Sequence, residues 1–335
     1  MKIVALEEHF ITEEVRLAWT RCTGSSRDES FDRFNTPVLE NRLKDLGEAR
    51  LRQMDESGVD VQVLSLNTPG VQNLDAVEAV AIARQANDLM ARTIERRPDR
   101  FEGFATLPTP DPIAAALELE RAVSVLGLRG AMLMGRTGER HLDDPSMLPI
   151  FETAARLRVP LYLHPQIPVA AVRQSYYSGF GDTTDVAFAT LGWGWHYETG
   201  VEAVRLILSG LFDRFPDLQI ILGHWGETML FYLERIDVMS KFAPNLKRSV
   251  SEYVRQNFYV TPSGMLSPTY LRWSIETIGV ERIMFSTDYP YQIAPGRGAR
   301  DFVESAALSD AEKVMIAHAN WDDLKARARS SSAGA

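Results

Sequence analysis

The sequence lacks most of what would mark a secreted, membrane-bound or nucleic-acid-binding protein. Its 335 residues include one cysteine, Cys22, so there is neither an internal disulfide nor a thiolate cage for a metal, which suits a reducing compartment. No apolar run approaches the ~20 residues of a membrane span, and the opening MKIVAL is too short for the core of a signal peptide. Lys and Arg are scattered, and the net charge is -9, so no basic footprint for nucleic acid or an anionic membrane is present. No G-x-G-x-x-G turn follows a strand-like run, which argues against a doubly wound nucleotide-binding sheet. No repeat, low-complexity tract or Pro/Ser-rich linker divides the chain. With 45% hydrophobic and 24% charged residues the composition is that of ordinary globular material, long enough to bury a large core. The expectation is a soluble, cytoplasmic protein whose ligand is a small molecule.

What is present is a rhythm. Short apolar or β-branched runs alternate with stretches of helical period, as in parallel strands joined by crossover helices. The strand candidates are KIVALEEHF, VQVLSLN, FEGFATLP, LRGAMLMG, VPLYLHP, LQIILGH, NFYVTPSG and RIMFSTDYP, and helical patterns such as the one from Ala76 lie between them. Pro112 opens a helical pattern and Gly127 follows its end, which are the expected start and stop signals. Eight such units predict an α/β fold of the (β/α)8 (TIM) barrel type over residues 1–325, with a loose tail at 326–335. Long irregular segments, roughly 23–37 and 166–194, leave the C-terminal ends of the first and fifth strands. In a barrel that face carries the site, so these loops are candidate lids or partner contacts.

Side chains alternate along a strand, which puts Glu7 and His9 on one face and Glu8 on the other. Pointed into the barrel mouth, that pair offers one oxygen and one nitrogen donor to a divalent ion. The same logic singles out His164 at the end of the fifth strand, His224 at the end of the sixth and Asp288 at the end of the eighth. One such residue is ordinary; four strand ends bearing ligand-capable groups on one barrel face predict a site. His141 and His318 fall in loop or helix patterns and read as structural, while His196 in GWGWHYETG is open to either reading.

These residues carry a resemblance. The order Glu-x-His, His, His, Asp is similar to the amidohydrolase superfamily, and ALEEHF, RPDRFEGFATLP, LYLHP, SGLFDRFPDLQIILGHWGE and FSTDYPYQ resemble its non-oxidative aromatic acid decarboxylases, over nearly the whole chain. The resemblance implies that Glu7, His9, His164 and Asp288 hold one Zn or Mn, that His224 is the site histidine, and that Glu227 is its neighbouring carboxylate. The sequence adds that the centre is mononuclear, since Glu7 replaces the first His of an H-x-H pair and the fourth strand ends AMLMG with no Lys to bridge two ions.

The implied reaction is decarboxylation of an ortho-hydroxylated aromatic acid. Direct loss of CO2 would leave an aryl anion that cannot be delocalised, so the ring carbon is protonated first, with Asp288 as the implied acid. Asn67 is a candidate for a substrate oxygen, or else caps the following turn. Arg235 either neutralises a substrate carboxylate or pairs with Glu227. Trp193, Trp195 and Tyr291 are candidate aromatic walls. Met134 stands where these decarboxylases usually show Asn, which suggests a less polar or differently shaped pocket. A hydrolase of a lactone, ester or amide, or a hydratase, on the same scaffold remains the alternative, with a silent ligand-binding barrel behind it. By analogy the assembly is a homodimer or homotetramer, in which Arg33 of the first long loop could reach a neighbour's pocket.

Overall fold

A computed structural model describes residues 1–293 and 296–329. Its strands are all parallel and follow one another around a ring. The first, β1 (Val4–Phe10), pairs with β2 (Val61–Leu66), which pairs with β3 (Phe101–Gly103). The third ring position continues after Phe104 as β4 (Ala105–Thr106), which pairs with β5 (Ala131–Leu133), followed in order by β6 (Leu161–Leu163), β7 (Ile220–Leu222) and β8 (Phe258–Val260). Residues 283–289 take the eighth position. The Met284 N–H donates to the Val260 carbonyl on one side, while the Leu6 and His9 N–H groups donate to Phe285 and Tyr289 on the other. The ring is therefore a (β/α)8 barrel whose last stave is held by single bridges rather than a long ladder.

The interior is filled by alternate residues of these strands, among them Val4, Leu6, Val63, Met132, Tyr162 and Ile221. The register of β1 against β2 shifts between Ala5 and Glu8. That irregularity changes the parity of the strand. Below it Val4 and Leu6 pack inside; above it Glu7 and His9 do, and Glu8 turns outward to accept from Gln62 Nε2 at 2.9 Å and Thr287 Oγ1 at 2.7 Å. One strand thus supplies an apolar floor and a polar rim. The helix Asn320–Arg329 seals the other end, where Trp321 is buried against Phe104 with ring centroids 5.5 Å apart and donates to Glu102 Oε2 at 2.7 Å.

Both long loops contain structure that irregular composition did not reveal. The first holds the helix Glu29–Phe34 and leads into the helix Pro37–Lys44, started by the side chains of Asp28 and Thr36 as N-caps. The second holds Ala170–Tyr176 and Asp182–Ala189. Residues 326–329, assigned from sequence to a loose tail, instead continue the last helix, and 330–335 lie outside the described residues. Among the described residues no helix is long and apolar enough to cross a membrane.

Candidate metal and catalytic site

At the C-terminal mouth of the barrel, Glu7, His9 and His164 place one ligand atom each within 4.8 Å of one another. His164 Nε2 lies 3.4 Å from Glu7 Oε1, and His9 Nε2 lies 3.9 Å from the same oxygen. Asp288 joins from the eighth position at the His9 corner, its Oδ1 3.4 Å from His9 Nε2. The surroundings fix which atoms face inward. Glu7 Oε2 accepts from Tyr162 Oη at 2.6 Å and from Ser263 Oγ, whereas Glu7 Oε1 and His9 Nε2 are buried without a hydrogen-bond partner. The Pro165 carbonyl can only accept, so His164 Nδ1, 2.9 Å away, carries the hydrogen and Nε2 keeps its lone pair. His9 Nδ1 is likewise engaged by Ser65 Oγ at 3.2 Å. A Cβ at Gly223 would sit 2.6 Å from Ser263 Oγ, so the absence of a side chain there is what lets Ser263 reach Glu7.

Electrostatics favour the same assignment. Burial pushes His9 down to about 4, against the pull of Glu7, and holds His164 well below its ordinary value, so both imidazoles are neutral. Burial also raises the Glu7 carboxyl, opposed by His224 and His9. Two neutral imidazole lone pairs, 3.4 and 3.9 Å from an unpartnered carboxylate oxygen, fit a single divalent cation with bonds of ~2.0–2.2 Å, and a mixed nitrogen and oxygen set suits Mn or Zn. Buried donors left facing one another in this way are costly unless a cation joins them.

Beside these donors the chain makes a left-handed turn. His224, Trp225, Gly226, Glu227 and Thr228 all have positive φ, between 49° and 86°, as do Ser263 and Asp288. Arg158 is the only other non-glycine residue with positive φ among those described, so the strain is concentrated here, at ~1–2 kcal/mol per residue. The turn aims the His224 ring at His164, with centroids 6.5 Å apart, and folds Glu227 back so that Oε1 meets His224 Nδ1 at 2.8 Å. Burial disfavours both charges of that pair, yet their mutual attraction carries Glu227 down to about 2 and, with Glu7 and Asp288, His224 up to about 10. Burial raises Asp288 to about 7, with His224 and His196 opposing.

A family model described as amidohydrolase matches residues 35–320. The chain belongs to the amidohydrolase family. It is 38% identical, over 96% of its length and 97% of the relative's, to gamma-resorcylate decarboxylase of Polaromonas sp. (strain JS666). The crystal structure of 5-carboxyvanillate decarboxylase from Sphingomonas paucimobilis superposes with a TM-score of 0.88 at 37% identity, covering 97% of this chain and 99% of that one. A dihydroxybenzoic acid decarboxylase from Polaromonas sp. JS666, solved with bound manganese and the inhibitor 2-nitroresorcinol, gives a TM-score of 0.85 at 37% identity, covering 97% of each chain.

Around this amidohydrolase centre, Asn67 is fully buried and accepts from Tyr291 Oη at 2.9 Å, while the Tyr291 ring stands edge-on to His9 with centroids 5.9 Å apart. Trp193 is half exposed and, with His196 and His224, lines a cleft of about 1110 Å³; the indole nitrogen of Trp195 is buried without an acceptor. Met134 lies in the apolar barrel interior, its N–H bonded to Gln72 Oε1. Arg235 departs from one of its two expected roles. It sits exposed on the short helix Leu233–Ile236 and does not pair with Glu227, both of whose oxygens are taken by histidines. Arg33 is exposed on its helix, His141 pairs with Glu202, and His318 sits 3.0 Å from Asp322 Oδ2. The residue that strand-end reasoning left undecided is His196, brought in by the helix Gly194–Leu208 to 2.8 Å from Glu227 Oε2. Its signal was chemical type alone, since no strand ends near it.

Proposed function

We propose that this protein is a metal-dependent, non-oxidative decarboxylase of ortho-hydroxylated aromatic acids of the hydroxybenzoate type, working with one Mn or Zn ion. The observation that carries this reading is the meeting of Glu7, His9 and His164 around unpartnered buried donor atoms, with Asp288 at the edge of that group rather than inside it. When bound, the ion supplies a fixed positive charge and Lewis acidity for the substrate's hydroxyl and carboxylate oxygens. The chain does the rest. Asp288, raised by burial, acts as the acid that protonates the carboxyl-bearing ring carbon. The electrons of the ring–carboxyl bond then return to the ring as CO2 leaves, aromaticity is regained, and Asp288 takes up a proton from water. His224, oriented by Glu227, donates to the substrate and stabilises charge as it shifts. Asn67 with Tyr291, and the indoles of Trp193 and Trp195, supply polar anchoring and aromatic walls, and Met134 accounts for a less polar pocket floor.

Gamma-resorcylate and 5-carboxyvanillate, the acids named for the relatives, are the first substrates to test with added Mn and with Zn. The expected result is CO2 in equal amount to the acid lost, followed by absorbance. A lactone, ester or amide cleaved without CO2, with no turnover of either acid, would overturn the reading in favour of a hydrolase.

A homodimer or homotetramer is the proposed working form, in the cytoplasm. It is supported by exposed rings clustered on one face, with Trp273 within 5.7 Å of Phe231 and 5.9 Å of Tyr270 between centroids. Sedimentation equilibrium should return at least twice the monomer mass; a monomer at micromolar concentration contradicts it.

A further inference from the structure

Glu227 is shared between two histidines. Its Oε1 is 2.8 Å from His224 Nδ1 and its Oε2 is 2.8 Å from His196 Nδ1, and the two imidazole rings lie 4.5 Å apart between centroids. The second nitrogen of His196 faces the Leu191 carbonyl at 3.3 Å. A carboxylate only accepts, so Nδ1 of His196 carries the hydrogen of its contact with Glu227. The contact is built into the backbone as well. A Cβ on Gly200 would fall 2.5 Å from the Glu227 carbonyl oxygen, so the helix carrying His196 lies against the left-handed turn because residue 200 has no side chain.

We propose that His196 is a positioning residue of the catalytic site: it grips the outer oxygen of Glu227 and so fixes the plane in which the inner oxygen holds His224. Without that grip the carboxylate is free to rotate about its last torsion, which is intrinsically soft, and His224 loses its orientation toward the metal donors. His196 touches no substrate in this scheme. Its effect appears in turnover more than in binding, because the contact it steadies strengthens as charge shifts in the transition state. The inference rests on the decarboxylase reading for its rate measurement and on geometry alone for its spectroscopic one.

The test uses the manganese-loaded enzyme. His196→Leu is expected to lower kcat for the accepted aromatic acid at least tenfold with KM changed less than threefold. His196→Asn, whose amide can still donate to Glu227, is expected to recover kcat to within threefold of the parent. Parental kcat in His196→Leu, or an asparagine variant no better than the leucine one, overturns the proposal. Should the leucine variant fail to fold, nitrogen-15 spectra of zinc-loaded parent enzyme decide: a hydrogen on His196 Nδ1 held toward Glu227 supports the shared carboxylate, and an Nδ1 without a hydrogen overturns it. If the parent releases no CO2 from any hydroxybenzoate, the reaction assignment has failed, and the nitrogen-15 result still decides the role of His196.

Discussion

Asp288→Asn is expected to reduce kcat by about a thousandfold or more, some 4 kcal/mol of transition-state stabilisation, while the aromatic acid still binds. The amide keeps the size and polarity of the carboxyl group but cannot hand over a proton at the acidity required. Asp288 reaches only the His9 corner of the donor group, so Glu7, His9 and His164 remain to hold the ion and the variant should retain its metal. Three measurements belong together: metal content, substrate affinity by titration, and CO2 released. Activity within about tenfold of the parent, barely more than 1 kcal/mol, would remove Asp288 as the proton donor.

Stripping the divalent ion with a chelator should abolish CO2 release, with a loss of at least about a hundredfold, and Mn or Zn added back should restore it. Stability should follow the same cycle. An ion that binds the folded chain alone stabilises it by ~2.7 kcal/mol at a hundredfold excess over its dissociation constant, which for a chain of this size raises the melting temperature by several degrees. The cause is local: Glu7 Oε1 and His9 Nε2 have no other partner, and burial already works against charge on both groups. Full activity in protein that metal analysis shows to be empty would defeat this account.

Much of this architecture was legible in the sequence because a parallel barrel writes itself as buried apolar runs, and each of the eight stops at a polar or special residue. Glu7, His9, His164, His224 and Asp288 could be found by asking what stands where such a run ends. The period-two argument also separated Glu8 from its neighbours, although the register shift that makes Glu7 and His9 face inward above Leu6 left no trace in residue type. Arg235 could not be placed, because its direction depends on a short helix following a strained turn that no propensity describes. His196 stayed undecided for a related reason: its role comes from a helix docking through Gly200 across the sixth-strand turn, bringing together His196 and Glu227, 31 residues apart, a contact that only packing creates. The helices that begin at Glu29 and Pro37 were hidden by their polar composition, which reads as irregular until their N-caps are seen to be satisfied.

The plug at the base of the barrel sets an order on assembly. Trp321 and Leu324, which complete the interior beneath Phe104, follow every strand position in the chain. Until they arrive, the ring of staves encloses a hollow with one face of Phe104 bare. Closing the base therefore comes after all eight staves, and a polypeptide halted short of Trp321 carries the whole upper rim above an open drain.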